Sequence, residues 1–468
     1  MITLPTAITL GCDSHSVPTP RRRGASPSPP EGRRFPDGFR WGVATSAYQI
    51  EGAVKADGRG QSIWDAFCAV PGRISGGDTG EQAADHYHRY LTDLDIMQSL
   101  GVQTYRFSIA WPRIQPDGRG SANQRGLDFY KRLVDGLLER GIEPLATLYH
   151  WDLPQALQET GGWEQRDTAQ RFADYAAIMF EALGSSVPTW ATINEPKTIA
   201  EVGYVSGFHA PGKRDPEAAW AVRHHLLLAH GLAVRAFRDS GRARRICPVL
   251  NLAPVYPADD ASAGSTAVAV ADAMENRIYL DPIFKGSYPQ DLLADQDKTA
   301  ALHRVIKDGD LNVIAAPVDL LGVNYYNPVY VDTSGTYVMK HPTSMATWQQ
   351  LYPDGLHDVL LRVRQDYGDI PISITENGIP TDDAPDGTVV YDPERIEFLR
   401  THLAAVHRAI EDGVGVESYY LWSLLDNFEW SAGYSQRWGI VYVDFDSQQR
   451  IPKDSAQWYQ DTIARNGI

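Results

Sequence analysis

The chain is poor in the features that mark several common classes of protein. It has three cysteines in 468 residues, Cys12, Cys68 and Cys247, an odd number with no C-x-x-C pair. That is no basis for a disulfide framework and fits a reducing compartment, so the expected location is cytoplasmic. No apolar run approaches the length of a membrane span. The mildly apolar start, residues 1–10, lacks the basic residue that precedes the apolar stretch of a secretory signal. Basic residues are in deficit, 43 Lys and Arg against 59 Asp and Glu, for a formal net charge of −16. Such a charge disfavours nucleic acid and anionic membranes as partners. His86 and His88, or His224 and His225, have none of the neighbours a metal site needs, and no phosphate-loop or redox motif is present. No metal and no cofactor are expected.

What the chain has in quantity is apolar and aromatic. Hydrophobic residues make up 43%, enough for a large core, and there are 12 Trp and 23 Tyr. Sugars stack their C–H faces on such rings, but large cores use them too, so composition does not choose between these readings. The length suggests two or three domains, yet α/β barrels often run this long as one.

Residues 1–34 are expected to form a disordered extension, rich in Pro, Ser and Arg from residue 11 onward, as in Pro27-Ser28-Pro29-Pro30. Arg21-Arg22-Arg23 reads as part of a solvated leader rather than a docking patch. Folded sequence begins at Phe35. Strands are expected over 39–50, 102–108, 143–148, 189–194, 246–252, 320–325, the stretch carrying Glu376, and 416–421. Between them run helical stripes such as Leu127, Tyr130, Val134, Leu137 and Phe172, Tyr175, Ala176, Met179, Phe180, Leu183. Asp392-Pro393-Glu394 reads as a helix start with Asp392 as N-cap. Eight alternations without a break in composition predict a single (β/α)₈ TIM barrel over 35–468, with long loops after strands one, four and six.

Two segments carry the chemistry. Ile372-Ser373-Ile374-Thr375-Glu376-Asn377-Gly378 reads as a buried parallel strand delivering Glu376 at its end, with a glycine free to take positive φ for the turn beyond. Trp190-Ala191-Thr192-Ile193-Asn194-Glu195-Pro196 repeats the pattern, and Pro196 is expected to keep Glu195 extended and delay any helix. In a barrel of this kind the active site lies at the C-terminal strand ends. Gln49, His150-Trp151, Asn194-Glu195, Asn324, Tyr326, Glu376 and Trp422 all fall there. Any one alone is weak, because a strand-end His or Trp is more often structural and a single glutamate is usually a solvated charge. Together they suit two-carboxylate chemistry on a glycosidic bond, with Glu376 ionised and Glu195 protonated. Arg106 is the expected cation beside Glu376.

These residues give the chain a resemblance to the family-one β-glycosidases, retaining hydrolases of the β-glucosidase type. It covers nearly all of the folded chain, from Phe39-Arg40-Trp41-Gly42 and Gln49-Ile50-Glu51-Gly52 through Tyr105-Arg106-Phe107-Ser108, His150-Trp151-Asp152-Leu153-Pro154, Asn194-Glu195-Pro196, Asn324-Tyr325-Tyr326 and Thr375-Glu376-Asn377-Gly378 to the segment from Trp422 to Trp430. The resemblance implies Glu195 as acid/base and Glu376 as nucleophile, tuned by Arg106, Asn194 and Tyr326. It implies that Gln49, His150, Asn194, Glu429 and Trp430 hold the hydroxyls of the terminal sugar and that Trp422 is its stacking floor. Trp151 and Asn324 would complete the sugar-binding set. The implied substrates are small β-glycosides such as cellobiose or aryl glucosides. Members acting on 6-phosphosugars usually carry serine at the position of Glu429, so its carboxylate favours unphosphorylated sugars. Departures are Lys197, where a tryptophan is common, Trp438, where phenylalanine is common near the sugar, and the spacing of Trp348, which resembles an aglycone-stacking tryptophan. A silent carbohydrate-binding barrel and a transglycosylase on the same site are the alternatives. An assembly of identical copies is compatible with the sequence.

Overall fold

The computed structural model describes residues 32–241 and 244–468. Its centre is a closed barrel of eight parallel strands: β1 Arg40–Ala44, β2 Thr104–Ser108, β3 Glu143–Tyr149, β4 Thr189–Asn194, β5 Arg245–Asn251, β6 Leu321–Asn324, β7 Ile372–Asn377 and β8 Val416–Trp422. Each strand pairs with its sequence neighbours, and β8 closes on β1 with Arg40 opposite Ser418 and Ala44 opposite Trp422. Strands β2, β4 and β7 are buried at every position, the polar residues Arg106, Asn194 and Glu376 included, so each of these needs a partner inside the barrel.

The helical stripes lie inward. Leu127, Tyr130, Val134 and Leu137 of helix Gln124–Glu139 are buried, as are Phe172 through Leu183 at the expected spacing in helix Arg166–Leu183. That helix packs on Ala218–Ser240, where the rings of Phe180 and Phe237 meet edge to face at 5.3 Å. Among the described residues, no helix is long and apolar enough to cross a membrane.

Three features differ from the sequence reading. The first strand stops at Ala44, and Ala47–Ile50 forms a short helix that presents Gln49. The turn is set by a neighbouring strand, because the Ala47 amide donates to Ser108 Oγ at 2.7 Å. Asp392 precedes helix Pro393–Glu411 but makes no side-chain cap; its carboxylate accepts from Arg395 and Ser455 instead. A buried cation competes successfully for a group that would otherwise cap. The connection after β5 is also long. It holds short helices Thr266–Asp272, Ile278–Phe284, Gln290–Leu293, Gln296–Val305 and Asp310–Ile314, too brief to show a clear period.

Of the expected extension, residues 1–31 lie outside the described residues, the Arg21-Arg22-Arg23 run and Cys12 included. Arg33 exchanges backbone hydrogen bonds with Ile468, so the two ends of the described chain meet.

Candidate active site

Glu376 sits at the C-terminal end of β7 and is 3% exposed. Arg106 on β2 reaches across the barrel and donates from Nη1 to Glu376 Oε1 at 2.5 Å. The same guanidinium donates to the Thr375 carbonyl at 3.1 Å, to Asn194 Oδ1 at 2.8 Å and, through Nε, to Thr147 Oγ1 at 3.2 Å. One planar fork thus ties β2, β3, β4 and β7 together, a geometry a lysine does not provide. Tyr326, just past β6, donates its hydroxyl to Glu376 Oε2 at 2.8 Å.

Glu195 follows β4 and does not have the extended backbone that Pro196 was expected to impose. Its φ of 48° and ψ of 66° are left-handed, and a helical turn begins at once with Pro196 as its first residue. The proline excludes the right-handed region for the residue before it, and the neighbours select the conformation. The Glu195 amide donates to the Val249 carbonyl on β5, Asn324 Nδ2 donates to Oε1 at 2.8 Å, and Thr198 Oγ1 donates to Oε2 at 2.7 Å. Left-handed backbone at a residue with a side chain costs on the order of 1–3 kcal/mol and collects at functional sites. Gly378 serves a purpose other than the expected positive φ. A Cβ there would lie 1.7 Å from the Trp422 carbonyl oxygen, so glycine lets β7 and β8 approach beyond the carboxylate.

The remaining predicted residues gather around these two acids. Gln49 Nε2 donates to Glu429 Oε2 at 3.1 Å and to Asn427 Oδ1 at 3.0 Å. Asn194 Nδ2 donates to His150 Nε2 at 3.1 Å, which places the imidazole proton on Nδ1. The rings of Trp422 and Trp430 lie nearly parallel to His150, at 5.9 and 6.0 Å. Trp438 meets Tyr326 edge-on at 5.7 Å and stacks with the half-exposed Trp348 at 6.3 Å. Trp151 packs on Trp430 at 4.6 Å, and its indole N–H is committed to the Asn194 carbonyl at 2.9 Å. Among the described residues, no group of three or more His, Cys, Asp or Glu is arranged to hold a metal.

Three carboxyls share this pocket with one guanidinium. Burial pushes Glu376 up to about 7; Arg106 and Tyr326 pull it down, and Glu195 adds to the rise. The cation therefore offsets the burial only in part, where the sequence suggested a firmly ionised group. Burial and the nearby Glu376 push Glu429 up to about 8, against the Gln49 hydrogen bond. Burial, then Arg106, hold His150 well below its ordinary value, so it is neutral. Burial and the charges of Glu376 and Glu195 hold Tyr326 well above its ordinary value, so it stays a donor.

The sequence did not single out three threonines. Thr147 supports Arg106, Thr375 Oγ1 donates to Asn324 Oδ1 at 2.7 Å and so turns the Asn324 amide toward Glu195, and Thr198 touches Glu195 itself. The only available signal was position, since each lies on a strand facing the site or one helical turn from a named residue.

Paired carboxylates, an arginine clamp and aromatic walls at the C-terminal rim of a parallel barrel define a glycoside hydrolase. The family model described as glycosyl hydrolase family 1 matches residues 31–468, and the chain belongs to that family. It is 48% identical to a thermostable beta-glucosidase B of Thermobispora bispora, over 93% of this chain and 91% of that one. It is 45% identical to beta-glucosidase A of Acetivibrio thermocellus, over 93% and 99%. A solved beta-glucosidase of Thermotoga maritima in complex with deoxynojirimycin superposes with a TM-score of 0.88 at 42% identity, covering 93% of this chain and all of the other.

Proposed function

We propose that the enzyme is a retaining β-glucosidase that removes terminal non-reducing β-D-glucosyl residues by double displacement. The observation that carries the assignment of roles is an asymmetry. Glu376 is held by a cation and a tyrosine hydroxyl, whereas Glu195 is flanked by the neutral donors Asn324 and Thr198. A guanidinium favours the carboxylate form, which a nucleophile needs; neutral donors let the other acid gain and lose a proton.

In the first step Glu376 Oε attacks the anomeric carbon as the bond to the leaving oxygen breaks, and Glu195 gives that oxygen its proton. In the second step Glu195 takes a proton from water, the water oxygen attacks the anomeric carbon, and the bond to Glu376 breaks. Arg106 and Tyr326 hold Glu376 against rotation throughout. Gln49, His150 and Glu429 supply hydroxyl partners, and Trp422, Trp430 and Trp438 supply apolar walls. Arg106 is committed to Glu376 and Asn194 and is not free to take a phosphate, which supports an unphosphorylated glycoside such as cellobiose or an aryl glucoside. The beta-glucosidase names of the relatives support glucose. Residues 35–468 would act as one catalytic unit, in the cytoplasm.

A panel of aryl β-glycosides, with the product followed by NMR, tests the reading. The glucoside should turn over best and release β-glucose first. First-formed α-glucose would indicate a single displacement and overturn it.

A further inference from the structure

Thr198 lies three residues after Glu195, on the helical turn Pro196–Thr198 that leads into a π-helical stretch Ile199–Val205. A helical turn brings the side chain at i+3 back over residue i, and Thr198 Oγ1 comes to 2.7 Å from Glu195 Oε2. The turn is anchored by the Ile199 amide on the Glu195 carbonyl at 3.2 Å. Thr198 also borders a small cavity lined by the rings of Trp64, Tyr149, Trp151 and Trp163. Lys197 is committed to Glu275 at 2.7 Å, and Tyr337 donates to the same carboxylate at 2.8 Å.

We propose that Thr198 is a positioning residue for Glu195, whose hydroxyl fixes Oε2 and favours the ionised form, and so sets the alkaline edge of the activity profile. The proposal rests on the reading of Glu195 as acid/base. The physical reason is the difference between two hydrogen bonds. Ionised Glu195 accepts from Thr198 in a charge-assisted bond; protonated Glu195 can only make a weaker neutral one. The other groups acting on Glu195 are Glu376 from β7, Tyr326 after β6, Glu429 after β8, and Arg106 and the neutral His150 through Asn194. Valine at 198 alters none of these and keeps the shape of threonine.

The test compares kcat/KM against pH for the wild type, Thr198→Val, Thr198→Ala and Thr198→Ser. Phenyl β-glucoside needs a proton on its leaving group; 2,4-dinitrophenyl β-glucoside does not. With the phenyl substrate, Thr198→Val and Thr198→Ala should move the alkaline edge up by about half to one pH unit. Thr198→Ser should restore the wild-type edge, and the dinitrophenyl profile should shift much less. An unmoved edge in the folded Val or Ala variant overturns the proposal, as does a serine variant that behaves like valine. Glu195→Gln is the separate control. If it keeps full activity on the phenyl substrate, the assignment of Glu195 fails, whatever position 198 does.

Discussion

Among the described residues, two buried clusters of three carboxylates are balanced differently. At the strand ends, Glu195, Glu376 and Glu429 have one cation among them, Arg106, which is paired with Glu376. Beyond β7 and β8, Asp383, Asp392 and Asp426 share three: Arg395 contacts Asp392 and Asp383, Lys453 contacts Asp383 and Asp426, and Arg437 contacts Asp426. Burial pushes Asp383, Glu376 and Glu429 up, but Arg395 and Lys453 bring Asp383 below its ordinary range, whereas Glu376 and Glu429 remain raised. Asp392, which has only Arg395, is lifted by burial. The number of cations decides the outcome. The balanced cluster joins the loop after β7, helix Pro393–Glu411 and the segment after β8. The unbalanced pocket keeps carboxyls that titrate where catalysis takes place.

Four experiments break or sharpen that contrast. Glu376→Gln should lower turnover of an aryl β-glucoside by on the order of 10⁴-fold or more, because no glycosyl-enzyme can form. Steady-state kinetics at substrate saturation check this, and near-normal turnover refutes the assignment. Lys453→Met should act on stability instead. It leaves Asp383 and Asp426 with one arginine each in a dry interior, at a cost of about 3–5 kcal/mol in denaturant unfolding. An unchanged midpoint would mean that the two clusters are not different in kind.

The third concerns pH. As the proposed nucleophile Glu376 must be ionised to attack, so activity should be present above its raised value of about 7 and be lost as pH falls through it. Tyr326→Phe removes a donor to the ionised form. It should move this acidic edge upward and lower kcat roughly 10–100-fold. A downward move would show that the hydroxyl serves another group.

The fourth experiment is Glu429→Gln, read on stability. The folded-state value of Glu429, about 8, lies above its ordinary one, so its ionisation opposes folding increasingly as pH rises between the two. The advantage of the glutamine variant over the wild type should grow by about 4 kcal/mol between pH 5 and pH 9. A gain at pH 5 and none at pH 9 would reverse the sign of the argument.

Much of the site was legible because its parts are local. An apolar strand ending in a carboxylate announces itself in seven residues, and Arg106, Asn194 and Tyr326 stand where their strands deliver them. Asp392 misled because its sequence neighbours suit a cap, while its true partners Arg395 and Ser455 come together only in the fold. Gln49 was assigned to a strand because the bond that turns its segment comes from Ser108 on β2. Thr147 and Thr375 look like ordinary strand residues until Arg106 and Asn324 are set against them.

By itself the sequence determined the barrel, the two acids and the residues that gather at its rim, because alternation of apolar strands and helices and the side-chain chemistry at strand ends are written in short stretches of chain. Only the tertiary structure decided how those acids behave. The left-handed turn at Glu195, the close approach at Gly378 and the shortage of cations around three carboxyls arise where distant strands meet, and the strength of a charge interaction depends on burial and distance rather than on order along the chain.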